Sequence, residues 1–257
     1  MNHGIVNTSV LPIRKEPSHR SEMVTQILFG ETYEVLEKKA GKWLRISGSY
    51  DGYEGWLNES SFHSISEKEF TQLENAPKAV SIDLVTTAMS EMGSVPLVCG
   101  STLPFYDGMN FKLHKEKFLF NGSAMQEFQP NISMVEKIAL KYLNAPYLWG
   151  GRSPFGIDCS GFTQVVFKCL FTLLKRDAHQ QAEQGVVVNF IEESLPGDLA
   201  FFADEDEKIT HVGIVLKDNQ IIHAHGKVRI DKLDHYGIFN VDKKKYSHRL
   251  KILKRVF

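Results

Sequence analysis

Residues 145–161 read APYLWGGRSPFGIDCSG, and the position of one thiol in this stretch decides how the chain is read. Aromatic residues, a Gly-Gly pair, a proline and a further glycine lead into Asp158-Cys159-Ser160-Gly161. Beyond them Phe162, Val165, Val166, Cys169, Leu170 and Leu173 recur at helical spacing, which predicts a helix opened by Cys159 and N-capped by Asp158. The first turn of a helix carries unpaired N–H groups and the positive end of the dipole, and both favour a thiolate. Ser160 and Gly161 keep the flank small enough for a carbonyl to approach. Gly150, Gly151 and Gly156 let the preceding loop pass close by. Cys99, in a strand-like run, and Cys169, on the apolar stripe, read instead as buried small residues.

A nucleophilic thiol needs a base, commonly a histidine held by a third polar group. Among ten histidines, His211 in ITHVGIVL and His223 in QIIHAHG lie in two strand-like runs joined around Asp218-Asn219. Parity separates two registers. A two-residue turn at 218–219 puts His211 and His223 on opposite faces. A three-residue loop at 217–219 pairs position 223 with 213 and makes the two rings diagonal neighbours on one face. The odd loop, or an equivalent bulge, is the expectation. His225 shares the parity of His223 and is the fallback third member, while the other histidines read as structural.

Around this constellation the chain divides into three modules. Residues 1–65 hold short strands broken by glycine-bearing turns, a pattern of small barrels. Residues 66–128 again suggest strands and turns and are expected to form a second such barrel. Residues 129–257 run helix, loop, helix and antiparallel strands, an α+β domain; SMVEKIALKYLN supplies its first helix, with Ser133 as the expected cap.

With a net charge of −1 among 257 residues, nothing in the chain argues for nucleic acid or an anionic membrane as partner. No apolar run approaches a membrane span, and the N-terminal stretch lacks the basic and apolar regions of a signal peptide, so a cytoplasmic location is expected. Three cysteines make no disulfide framework, no Cys or His pair has zinc spacing, and neither cofactor nor metal is expected.

The segments PYLWGGRSPFGIDCSGF, LPGDLAFF, ITHVGIVL and IIHAHG resemble the NlpC/P60 cysteine peptidases, in order and spacing. LPIRKEPSHRSEMVTQILFGETYEVLEKKAGKWLRI followed by GYEGWL resembles a bacterial SH3 domain. The resemblance implies a circularly permuted papain-like domain preceded by one or two SH3-like barrels. It implies Cys159 as nucleophile, His211 as general base and His223 as the group that orients it.

The SH3-bearing members that this chain is most similar to are γ-D-glutamyl-L-diamino acid endopeptidases of murein peptide recycling. The implied substrate is a small cell-wall peptide, L-Ala-γ-D-Glu-diamino acid, with the SH3 domain helping to receive its free amino end. The residues carried over are Glu22, Tyr53, Tyr147, Trp149, Asp158, Ser160 and Asp177. Carboxylates and a hydroxyl suit an ammonium group. Ala178 departs from the serine often found there, which removes one hydrogen-bonding group. Two other readings are an amidase or acyltransferase of the same Cys–His superfamily and a non-catalytic, SH3-type wall-binding protein. A tyrosine phosphatase is excluded, because its C-x5-R motif would need arginine where Val165 stands.

Overall fold

The computed structural model describes residues 2–39, 41–127 and 132–256. The chain forms two compact units, Met1–Glu127 with Trp149–Pro154, and Phe128–Leu148 with Phe155–Phe257. The expected module boundary at 128–129 lies outside the described residues.

In the first unit a seven-stranded antiparallel sheet runs Met23–Leu28, Val10–Arg14, Glu54–Asn58, Trp43–Gly48, Thr32–Lys39, His3–Ile5, Ser64–Ile65. Alternate residues of these strands, Leu11, Ile13, Ile27, Tyr33, Leu44, Ile46 and Leu57, meet in a buried core. A bulge at Val24 in Met23–Leu28, and another at Leu36 in Thr32–Lys39, supply the bending that curls so short a sheet.

A helix, Glu67–Asn75, then interrupts a region read from sequence as strands and turns alone. Only Phe70 and Leu73 turn to the core, too few for a clear period, but Ser66 accepts from the Glu69 N–H (3.2 Å), so its cap was visible. Seven further strands make a four-stranded and a three-stranded sheet. Their core, including Phe111, Phe118 and Phe120, also takes in Ile5 from the first sheet, Phe29 from the turn after Met23–Leu28 and Leu73 from the helix.

The second unit holds strands β1 (Val186–Val188), β2 (Leu199–Ala203), β3 (Ile209–Leu216), β4 (Gln220–His225), β5 (Lys227–Asp234), β6 (Gly237–Asn240) and β7 (Lys245–Arg255). Their order is β1-β7-β2-β3-β4-β5-β6, and β6 pairs back onto β7, so β2 to β7 close into a six-stranded barrel. Closure removes the exposed edges that an open sheet would leave. The unit's first helix, Ile132–Lys141, begins at or before Ile132, so Ser133 lies within its first turn and is not its cap.

The helix Cys159–Lys168 packs across β3 and β4. Every residue in it is buried, so the apolar stripe read from sequence is one part of a helix enclosed on all sides. It ends sooner than the periodicity to Leu173 suggested. Phe171 takes a left-handed conformation (φ 56°), and the Thr172 N–H returns to the Phe167 carbonyl (3.0 Å). Leu173 is consequently exposed.

Candidate active site

The β3–β4 register is the odd one. Gly213 lies opposite His223 and Leu216 opposite Gln220, leaving residues 217–219 as the loop. Asp218 and Asn219 both adopt left-handed backbone (φ 57° and 54°), which short polar side chains tolerate. His211 and His223 therefore share a face, and the His211 Nε2 and His223 Nδ1 atoms lie 2.8 Å apart.

The chain of contacts continues onto β5. His223 Nε2 lies 3.1 Å from Asp231 Oδ2. Asp231 also accepts from Arg229 Nε (2.7 Å), Arg229 Nη2 (2.8 Å) and the Val241 N–H (3.0 Å). Burial pushes its carboxyl up, but the His223 ring, Arg229 and the Val241 N–H outweigh burial and hold it well below the usual carboxylate range. An ionised Asp231 can only accept, so the network fixes the tautomers. His223 donates from Nε2 and accepts at Nδ1, His211 donates from Nε2, and His211 Nδ1 is left with a free lone pair. Burial, then the neighbouring His223, lowers the His211 pKa well below its ordinary value, and burial lowers that of His223 against the pull of Asp231. Both rings are neutral at rest.

Cys159 opens its helix as read from sequence, and the Asp158 side chain caps it by accepting from the Gly161 N–H (2.7 Å). The electrostatics differ from the expectation of a lowered thiol pKa. The residue is only 7% exposed, and burial, followed by the Asp158 carboxylate, pushes the thiol up to about 12. The Val212 N–H, Arg176 and the Ser160 N–H pull the other way without prevailing. The capping carboxylate thus offsets the dipole it completes. At rest Cys159 is a thiol and His211 a neutral imidazole, and a thiolate forms only as a proton leaves.

Arg176 balances Asp158. It donates through Nη2 (2.5 Å) and Nη1 (3.0 Å) to the carboxylate and through Nη1 to Ser160 Oγ (2.9 Å), all buried. Asp158 and Ser160 are therefore occupied as the cap and its support. Tyr147 is half-buried, and burial, then the charges of Cys159 and Asp158, raise its phenol to about 12. Asp177 starts the short helix Ala178–Gln181, where its N–H donates to Gln180 Oε1 (3.2 Å).

In the first unit Glu22 and Trp149 meet directly. The indole Nε1 donates to Glu22 Oε1 (2.7 Å), and this bond, with Lys15, lowers the Glu22 pKa. Trp149 stays 61% exposed. Tyr53 lines a small cavity with Tyr50, Asp51, Glu31 and Arg152.

Comparison with known proteins agrees with this geometry. Residues 144–246 match the NlpC/P60 family, and residues 13–62 match the bacterial dipeptidyl-peptidase SH3 domain. The chain carries an NlpC/P60 domain. It is 28% identical over 232 residues to the γ-D-glutamyl-L-lysine dipeptidyl-peptidase of Bacillus cereus, covering 80% of this chain and 68% of that protein. It is 25% identical to dipeptidyl-peptidase 6 of Lysinibacillus sphaericus, covering 90% and 92%. The crystal structure of an NlpC/P60 family protein from Bacillus cereus has the same fold, with TM-score 0.84 at 21% identity and 99% of each chain covered. These relatives support a peptidase. Among the described residues no helix is long and apolar enough to cross a membrane.

Four residues of the NlpC/P60 domain escaped the sequence reading: Arg176, Arg229, Asp231 and His248. A turn at Gly226 was the available signal for two of them, since it sets Arg229 opposite His223 and gives Asp231 the same parity. His248 stacks on His211 with centroids 4.1 Å apart, and nothing in its local sequence marks it. The fallback His225 is exposed at the rim, 6.3 Å from the ring of either His211 or His223.

Proposed function

We propose that this chain is a cysteine endopeptidase that hydrolyses the γ-D-Glu–L-diamino acid bond of cell-wall-derived peptides, in cytoplasmic murein peptide recycling. The observation that carries the proposal is the Asp231–His223–His211 chain of hydrogen bonds in the same unit as a helix-opening cysteine. Its tautomers leave His211 Nδ1 as a base. The relatives named for γ-D-glutamyl-L-lysine cleavage supply the bond.

In this mechanism His211 Nδ1 takes the Cys159 proton as the sulfur attacks the γ-carbonyl carbon of D-Glu. The new imidazolium is stabilised through His223 by the Asp231 charge. N–H groups of the helix start stabilise the oxyanion. Collapse expels the amine of the diamino acid, which leaves with the proton from His211. Water, deprotonated by His211, then attacks the thioester carbonyl, and the C–S bond breaks to release L-Ala-D-Glu as His211 returns the proton to the Cys159 sulfur.

Glu22, Tyr53, Tyr147, Trp149, Asp158, Ser160 and Asp177 are assigned to substrate recognition within the same proposal. The buried ion pair of Asp158 with Arg176 favours an indirect role for Asp158, through the position of Cys159. Residues 66–128 are assigned as a second SH3-like domain.

The test is mass spectrometry of L-Ala-γ-D-Glu-L-Lys, its diaminopimelate counterpart and N-acetylated forms after incubation with the protein. Release of L-Ala-D-Glu from the free-amine peptides, with the acetylated forms resistant, is expected. Equal rates on both would remove the amine-recognition role, and no cleavage of any would remove the bond assignment.

A further inference from the structure

Three imidazoles from three separate strands converge in the barrel: His211 on β3, His223 on β4 and His248 on β7. One ring nitrogen from each lies within 4.8 Å of the other two. We propose that this trio is a binding site for a divalent borderline-soft cation, Zn2+ above all, whose occupancy reversibly switches the peptidase off. The inhibitory half rests on the function proposed above; the binding half does not.

Sequence spacing hides such a set, since its members stand 12 and 25 positions apart. The argument for a ligand set is the way the remaining ring nitrogens are tied. Asp231 holds His223 Nε2, which directs Nδ1 toward His211. Ser247 Oγ lies 2.9 Å from His248 Nδ1, which leaves Nε2 of that ring unclaimed. A carboxylate or hydroxyl thus stands behind two of the three imidazoles, the arrangement that orients metal-binding histidines and raises their basicity. The donor set is all nitrogen, which suits Zn2+, Cu2+ or Ni2+ and disfavours Mg2+ and Ca2+.

The rings need only modest movement. Tetrahedral zinc at about 2.0–2.1 Å from nitrogen sets its ligand atoms about 3.3 Å apart, so the 2.8 Å His211–His223 pair opens by about half an ångström and the distances to His248 close by at most about 1.5 Å. His248, half-buried and stacked on His211, is the ring with room to turn.

Occupancy has a chemical consequence that follows from the tautomers. At rest His211 carries its proton on Nε2 and a lone pair on Nδ1. A cation bound at Nε2 needs the lone pair on that nitrogen, so the ring proton moves to Nδ1. No charge or electron is consumed. The nitrogen that would receive the Cys159 proton now bears one of its own, and the base is gone.

The experiment uses the full chain after treatment with EDTA. Zn2+ binding is measured by calorimetry on the wild type, Cys159→Ala, His248→Phe and His248→Gln. Co2+ absorption reports the coordination geometry, and tripeptide cleavage is followed with and without Zn2+. One equivalent should bind to the wild type and Cys159→Ala alike, with tetrahedral Co2+ bands, and both His248 variants should weaken binding by about 100-fold or more. Cleavage should stop in zinc and return with EDTA. Absence of binding, binding untouched by either His248 variant, loss of binding in Cys159→Ala, or full cleavage by zinc-loaded protein would each overturn the proposal. Should EDTA-treated wild type cleave nothing at all, the functional reading fails by itself, and the calorimetry still judges the metal site.

Discussion

Replacing Asp231 by asparagine removes one acceptor oxygen and one charge from the end of the histidine chain, and the structure says which way the network then falls. Oδ2 faces His223 Nε2 and Arg229 Nε, and Oδ1 faces Arg229 Nη2 and the Val241 N–H. An amide turned with its oxygen toward His223 keeps the working tautomer but confronts two donors, Arg229 Nη2 and Val241, with its NH2. The opposite orientation confronts only Arg229 Nε, because His223 can change tautomer and accept. That change passes along the 2.8 Å contact and puts the proton of His211 on Nδ1.

Each buried donor left unpaired costs about 1–3 kcal/mol, so the inactive network is favoured by about that much, roughly a 10- to 100-fold depletion of competent enzyme. Loss of the carboxylate charge that stabilises the imidazolium adds to this. We expect kcat to fall by about 10²–10⁴-fold, the range seen when a triad histidine is held in the wrong tautomer, with KM nearly unchanged. Steady-state cleavage of the tripeptide, with near-ultraviolet circular dichroism to confirm native packing, makes the measurement. A natively folded Asp231→Asn protein with kcat within about threefold of wild type would refute the tautomer argument.

Three further outcomes follow from the same contacts. Arg176→Met leaves Asp158 buried without its partner, at a cost of about 3–5 kcal/mol, which corresponds to a fall of roughly 10 °C in melting temperature; a shift under about 2 °C would contradict the ion pair's role. Gly213 faces His223, and a Cβ there would come within 2.7 Å of Ile221 Cδ1 and 2.9 Å of His223 Cβ, so Gly213→Ala should lower kcat by about 10-fold or more, and unchanged kinetics would show that the ring position is not critical. In acid the buried histidines destabilise the fold. His211 is held well below its ordinary pKa and His248 is pulled to about 3, by burial first in both, so the unfolded chain takes up protons near pH 6.5 that the folded chain refuses. Stability is then full above that pH and lost as pH falls below it, by about 1.4 kcal/mol per ring at about pH 5.5. Urea midpoints measured at neutral pH and at about pH 5.5 check this, and a flat profile would contradict it.

What could be read from sequence was whatever local chemistry writes into adjacent residues. The helix start at Asp158-Cys159 is a matter of capping, and the His211–His223 register a matter of loop parity, so both were legible. Contacts made by closing the barrel were not. Asp231 sits one strand beyond the His211–His223 hairpin, and His248 reaches the site because β7 pairs with both β2 and β6. The thiol pKa departs from the sequence expectation for a related reason. Helix position is local and argues for ionisation, whereas enclosure of the helix on every side is a tertiary effect that argues against it, and enclosure prevails. The end of that helix was likewise set by a left-handed Phe171, a residue with no turn signature.

The central claim is that Cys159 ionises only by passing its proton to His211. Iodoacetamide labelling of the native protein at mild pH, with each cysteine quantified by peptide mass spectrometry, tests it most directly. Cys159 should label far faster than the fully buried Cys99 and Cys169, and its advantage should vanish in His211→Ala. Equal labelling of all three cysteines in the wild type, or rapid labelling of Cys159 that persists without the His211 ring, would contradict it.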